Sequence, residues 1–355
     1  MKGKMKAWLF IALAMLLLLA ACSKEEQGES PEPVPGPPAE VIEPEEPEEE
    51  EVVITYPAPF TGIQEEVENT RRPVLATINN HPLARPQSGI SDADIVYELV
   101  AEGSVTRLLA LFQSELPEQI GPIRSSRDYF IQIAKGLDSF YVAHGYSPDA
   151  LALLQSGYVD HINGMQYDGT LFKRSTDRKA PHNSYITGEN VLVGAEKTNS
   201  TMEISKYPAL SFHESIESAK IGDSAGAIEV RNGSHPNFTS TYLYNNENGT
   251  YGRSVNDIVT IDKANDKQVA LSNVLVFEAV HRTIDDVGRQ TIDIESGGKG
   301  LLFQAGSMKE IAWENVDGIL TPMEDGVPAK LVPGKTWIHI VPTKPGLETS
   351  VTYNP

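Results

Sequence analysis

The stretch from Ser23 to Glu51 is almost entirely glutamate and proline, and it limits where folding can begin. Seven prolines fall between Pro31 and Pro47, and twelve of the chain's 49 acidic residues lie in this stretch against a single basic one, Lys24. Such a segment buries too little apolar surface to offset the entropy lost on ordering, so a disordered, extended tether is expected over residues 22–56. At about 3.1 Å per residue for a proline-rich chain, its reach is on the order of 90 Å. Any folded structure must come from the roughly 300 residues that follow, enough for two domains of ordinary size.

Upstream, Lys2, Lys4 and Lys6 precede an unbroken apolar run, Ala7 to Ala21, that ends in Leu19-Ala20-Ala21-Cys22. A basic start, an apolar run and small residues at its end make residues 1–21 a signal peptide. The run is shorter than the roughly 20 residues a bilayer requires. Leu-Ala-Ala-Cys resembles the bacterial lipobox, whose cysteine is lipidated as the first residue of the mature protein. Cys22 is therefore the expected lipidation site, and the extracytoplasmic face of the cell membrane, reached through that lipid, is the expected address. No other cysteine exists in the chain, which excludes disulfides, thiolate metal sites and a cysteine nucleophile from the folded part. Without signal and tether the formal charge falls from −20 to about −12. That moderate acidity makes nucleic acid an unexpected partner.

Residues 57–222 read as an α/β domain. Pro73–Ile78, Asp94–Val100 and Arg107–Phe112 are short runs, apolar on both faces and bounded by turn residues, as strands of a sheet covered on each side are. After Gly121-Pro122, Ser125 and Asp128 form a capping-box-like pair. Phe130, Ile133, Ala134 and Leu137 then fall on one helical stripe. Ser139–Ala143 reads as a further strand. A second helix starts at Ser147-Pro148 and stops at Gly157.

Polar residues gather at the ends of these elements. His81 and Arg85 follow the first strand, Arg107 opens the third, Arg124 and Arg127 flank the helix start, and His144 ends the next strand. Arg174, Arg178, His182 and Asn183 crowd one segment. Ligands of α/β folds sit where strand ends and helix starts converge, and free helix N–H groups beside arginines suit an anion. Arg85, Arg107, Arg124, Arg127, His144, Arg174, Arg178 and His182 are the candidate ligand-binding residues of an anion pocket. The competing reading pairs these arginines with Asp92, Asp94, Glu98 and Asp128 as structural ion pairs.

The stretch from Asn79 to Ser114, with IGPIRSSRDYF, YVAHGYSP and RKAPHNSY after it, resembles the YerB-like lipoproteins of Gram-positive bacteria, and the lipobox fits the same family. The resemblance implies a two-domain envelope lipoprotein. The family is defined by domains of unknown function and supplies no reaction, ligand or catalytic residue.

Residues 223–355 form a β-rich domain by pattern: from about Ala227, short alternating runs are separated by Gly, Asn and Asp, and no helical period recurs. Asn248-Gly249 marks a hairpin. The glycine-rich Gly297–Gly300 lacks a Gly-Lys-Ser/Thr ending and leads into a strand, so it reads as a turn. His281, Arg282, Asp285 and Asp286 read as a solvated loop, with an acid–base or metal group as the alternative. The fold class is α+β overall, an α/β region followed by a β-rich one.

No pattern specifies a reaction. Ser147 is a helix cap, because Asp149 stands where Gly-x-Ser-x-Gly requires its last glycine. Asp94, Glu98, Glu102 and Asp168 are available to a two-carboxylate glycosidase without a spacing that pairs them. His81, His144, His161 and His182 lack zinc-site spacing, and neither a metal nor a cofactor is expected. The favoured function is an anchored binding or accessory protein, not an enzyme, holding an anionic cell-wall or polymer ligand, or docking an envelope protein. A hydrolase or transferase acting on peptidoglycan or an anionic polymer is the first alternative, with His144 or His182 as acid–base. A protein–protein docking scaffold is the second.

Overall fold

The computed structural model describes residues 54–355. The signal peptide, Cys22 and the tether up to residue 53 lie outside the described residues. The tether boundary moves slightly, since Tyr56–Pro57 already pairs with Gln64–Glu65 as a small antiparallel ribbon.

The strands read from the sequence are present. β1 (Val74–Asn79), β2 (Ile95–Glu102) and β3 (Val105–Phe112) are antiparallel neighbours in the order β2–β3–β1. Helix α1 (Asp128–Gly136) leads into β4 (Phe140–Ala143), which lies parallel to β1. Helix α2 (Pro148–Gln155) starts on the Ser147 cap as expected and leads to β5 (His161–Asn163), parallel to β4. A single turn, α3 (Gly164–Tyr167), follows, then the hairpin of β6 (Phe172–Arg174) and β7 (Ser184–Ile186), and helix α4 (Gly188–Lys197).

The start of α1 differs from expectation. Its N-cap is Arg127, which makes no side-chain cap. Ser125 instead donates its hydroxyl to the His144 carbonyl, 3.2 Å away, tying the helix entry to the end of β4. The apolar stripe of α1 is buried as read.

The second half is almost all strand, which makes the chain an α/β region followed by a β-rich one. β8 (Ala227–Arg231), β9 (Thr239–Asn245), β10 (Thr250–Val255) and β11 (Ile258–Val259) are consecutive antiparallel neighbours of one sheet. β12 (Asn273–Ala279), β13 (Gly298–Gln304), β14 (Ser307–Val316), β15 (Ile319–Glu324), β16 (Val327–Pro328) and β17 (Thr336–Pro342) build another. Finally β18 (Val351–Asn354) joins the first of these beside β8. Gly297–Gly300, read as a turn, lies mostly within β13: only Gly297 precedes the strand, while Gly298, Lys299 and Gly300 already pair with β14; Asn248-Gly249 closes the β9–β10 loop.

The boundary drawn between residues 222 and 223 does not divide the sheet. β17 lies parallel to β2 in the register Thr336↔Ile95 to Ile340↔Leu99. One twelve-stranded sheet therefore runs β16–β15–β14–β13–β12–β17–β2–β3–β1–β4–β5 across both halves, with Asp223–Ser224 pairing on β14. Residues 52–355 form one compact unit. Side-chain alternation divides the core in two. Leu75, Tyr97, Leu109, Tyr141 and Ile338 pack with α1 and α2 on one face. Val74, Val96, Ala110, Phe140 and Trp337 pack with α4 and the β8–β10 sheet on the other. No helix among the described residues is long and apolar enough to cross a membrane.

Candidate functional site

The eight candidate residues do not form one pocket. Arg107 (in β3) and Arg127, both buried, converge on the two oxygens of Glu102 in β2, Arg107 at 3.0 Å. Arg107 also donates to the Ser125 carbonyl, and Arg127 to those of Ala101 and Ser126. The carboxyl of Glu102 is held below its usual range because these arginine charges outweigh its burial. For these two residues the ion-pair reading is right in kind, although the partner is Glu102 and none of the acids named in it. Their guanidinium groups at the start of α1 are spent on Glu102 and on backbone carbonyls. Arg178 braces a loop, donating to the carbonyls of Ala84 and Pro86 and to the Tyr185 hydroxyl at 2.7–2.8 Å. Arg85 lies in a separate cleft between the two halves of the chain.

Arg124, His144 and Arg174 remain together. They line an open cleft of about 230 Å³ with Ser125, Gly145 and Met165. The parallel strands β4 and β5 end at Ala143 and Asn163, immediately before His144 and Gly164, so the cleft sits at the carboxyl ends of parallel strands, where α/β folds bind ligands. Gly164 lets the chain pass beneath the imidazole, since a Cβ there would lie 2.1 Å from His144 Nδ1.

The hydrogen bonds of His144 define its state. Arg174 Nη2 can only donate, so His144 Nε2, 2.9 Å away, accepts. Nδ1–H then donates to Ser184 Oγ at 2.7 Å. Burial first, then the charge of Arg174, lowers the affinity of this ring for a proton. His144 is therefore neutral near neutral pH, with both nitrogens engaged. In this tautomer it cannot take the proton of Ser184. Arg174 is itself held by Asp168, at 2.9–3.2 Å, and by Asn183.

His182 accepts from Asn79 Nδ2 at 3.0 Å and stacks on His81, ring centroids 4.6 Å apart. Burial lowers the pKa of both rings, and the charge of Arg124 lowers each further. Arg124 is half-buried, and among the described residues its guanidinium has neither an ion pair nor a side-chain hydrogen bond. Its charge is felt by the imidazoles of His81, His144 and His182 and opposed only at longer range by Glu102, which Arg107 and Arg127 already pair.

Sequence reasoning missed a second polar cluster. Glu98 in β2 is fully buried. One of its oxygens accepts from Asn80, Thr106 and Asn232, the other from Arg253 at 3.1 Å and Trp337 Nε1 at 3.2 Å. His339 beside it donates to Asn232 Oδ1 and accepts from the Tyr242 hydroxyl at 2.6 Å. A glutamate inside DIVYELV and a histidine inside TWIHIVP were the available signals, because an ionisable group in an otherwise apolar strand needs a buried partner. The remaining glycosidase candidate, Asp94, accepts the backbone N–H groups of Gln113 and Ser114. Among the described residues, no group of three or more His, Cys, Asp or Glu side chains is placed to hold a metal. The 281–286 segment, read as a loop, begins as a short strand, His281–Thr283, antiparallel to Gln290–Ile292; Asp285 beyond it pairs with Arg289, and His281 bonds the Ala279 carbonyl.

Two family models match, described as "Protein of unknown function (DUF3048)", the N-terminal domain over residues 60–201 and the C-terminal domain over residues 228–338. The chain belongs to this family. It is 46% identical over 288 residues to the "Putative lipoprotein YerB" of Bacillus subtilis, covering 80% of this chain and 86% of that one. The crystal structure of the Bacillus subtilis YerB protein superposes with a TM-score of 0.78 at 42% identity, covering 84% of this chain and all of that one. The resemblance read from the sequence is thereby shown, and so is the α/β-then-β order of the family's two regions.

Proposed function

We propose that this protein is an extracytoplasmic binding or accessory lipoprotein, anchored through Cys22, that holds an anionic group of an envelope ligand in the Arg124 cleft. The observation that carries the reading is Arg124, a half-buried cation without a partner among the described residues, at the carboxyl ends of β4 and β5. The relative's description as a lipoprotein supports the address, together with the Leu-Ala-Ala-Cys sequence. The saturated hydrogen bonding of His144 favours binding over acid–base catalysis.

The test is thermal unfolding with and without inorganic phosphate, muropeptides and teichoic-acid fragments. A ligand at 100 times its dissociation constant adds about 2.7 kcal/mol, which moves the midpoint by several degrees. The expected result is such a shift with at least one anionic fragment, abolished in Arg124→Ala. A shift that survives Arg124→Ala, or none with any fragment, sinks the reading. Turnover of a bound fragment, lost in His144→Gln, points instead to a hydrolase or transferase.

A further inference from the structure

A second cleft, of about 360 Å³, opens where Pro82–Gln87 of the first half faces β10 and β11 of the second. That volume lies within the ~300–1,000 Å³ of small-molecule sites. Two guanidinium groups reach it, and neither is saturated. Arg253 is 2% exposed. Its Nη1 donates to Thr260, its Nη2 to Glu98 and Ser240, and its plane lies 4.3 Å from the Trp337 ring. Its Nε has no partner. That Nε is itself shut off from solvent, so Arg253 gives the cleft its charge and not a further hydrogen bond. Arg85 spends Nε and Nη2 on Asn80 and the Asn237 carbonyl, and its Nη1 has no hydrogen bond among the described residues. Burial, then the charge of Arg253, brings its pKa down to about 10, so it stays a cation at neutral pH.

Charge and wall chemistry narrow the ligand. Arg85 and Arg253 share one buried carboxylate, Glu98, so the cluster carries one net positive charge and suits a single negative one. The opposite wall is aliphatic and open to solvent: Ile258 is 73% exposed, Val259 45% and Ile261 37%. Exposed aliphatic residues beside two arginines read as one amphipathic receptor.

We infer that the Arg85–Arg253 cleft is a second binding site, distinct from the Arg124 cleft, for a monocarboxylate carried on an aliphatic body. The carboxylate takes the Nη1 N–H groups of Arg85 beside the charge of Arg253, and the aliphatic part lies along Val255, Ile258 and Ile261. Such a group can belong to a free alkyl carboxylate or to the C-terminus of a peptide ending in aliphatic residues.

The experiment titrates the protein with octanoate and with the tripeptide Ala-Val-Ile, each beside its uncharged counterpart, octanol and the tripeptide amide. Calorimetry reads affinity, and tryptophan fluorescence reads the site, since Trp337 stacks on Arg253. The expected result is binding of at least one carboxylate with a change in fluorescence, the better binder identifying the source. The uncharged counterpart should bind at least tenfold more weakly, as should Arg85→Leu and the surface variant Ile258→Asp, which leaves the buried network intact. Inorganic phosphate at matched ionic strength should not displace the ligand. The inference is overturned if neither carboxylate binds at millimolar concentration, if the uncharged counterparts bind equally well, if both variants bind like the parent, or if phosphate competes. It does not depend on the Arg124 reading, because the two sites share no residue.

Discussion

Glu102 receives two arginines, whereas Arg124 makes no ion pair among the described residues. The sequence shows that cations gather at the ends of elements but not which acid each one reaches. Glu102 lies four residues or more from every carboxylate considered as a partner. It meets Arg107 only because the β2–β3 hairpin folds them together, and Arg127 only because α1 packs on that face. His339 was equally illegible, since its partners Asn232 and Tyr242 are about a hundred residues away in sequence. Burial, then the charge of Arg253, lowers its pKa to about 4, although Glu98 opposes this. A histidine depressed from 6.5 to about 4 binds fewer protons folded than unfolded between these values, so its contribution is complete above pH 6.5 and is lost as pH falls toward 4. Urea unfolding at pH 7 and pH 5 should show a loss of roughly 2 kcal/mol from this residue. His81, His144 and His182 shift in the same direction, so the decisive comparison is His339→Gln. An equally steep pH dependence in that variant would refute the assignment.

At the scale of elements, local signals were sufficient. Short apolar runs bounded by turn residues located β1 to β4, and the Ser147 cap located α2. One local misreading, Ser125 as the cap of α1, arose because a hydroxyl near a helix start can also bond the neighbouring strand end, and here it bonds the His144 carbonyl. Packing between elements was not legible. Gly136, in the last turn of α1, illustrates this: a Cβ there would lie 1.8 Å from the Gly318 carbonyl oxygen, in the turn between β14 and β15. In an isolated helix Gly→Ala gains about 1 kcal/mol. Here the added methyl meets backbone that cannot rotate away, so Gly136→Ala should destabilise the protein by about 1–3 kcal/mol. Chemical denaturation of the variant measures the sign directly, and any stabilisation would mean that the helix and the turn are not in contact in solution.

For the molecule as a whole, the pattern change near residue 225 is a change of secondary structure within one compact unit. TWIHIVP announces a strand but carries no information about its neighbour, and the structure places it between β12 and β2 as the seam of the large sheet. Glu98 from the first half meets Arg253, Trp337, Asn232 and the edge of His339 from the second across this seam. Parting the halves would expose two strands apolar on both faces and leave a buried carboxylate and a buried guanidinium without partners. Breaking such a pair costs about 3–5 kcal/mol on its own. The halves should therefore unfold together. Scanning calorimetry should show one transition for residues 54–355, with calorimetric and van't Hoff enthalpies in agreement, and a chain ending at residue 222 should lack a cooperative transition. Two resolved transitions in the intact protein would mean that the β2–β17 pairing is weaker than either half, and the cleft formed by Arg85 and Arg253 would then open before either half melts.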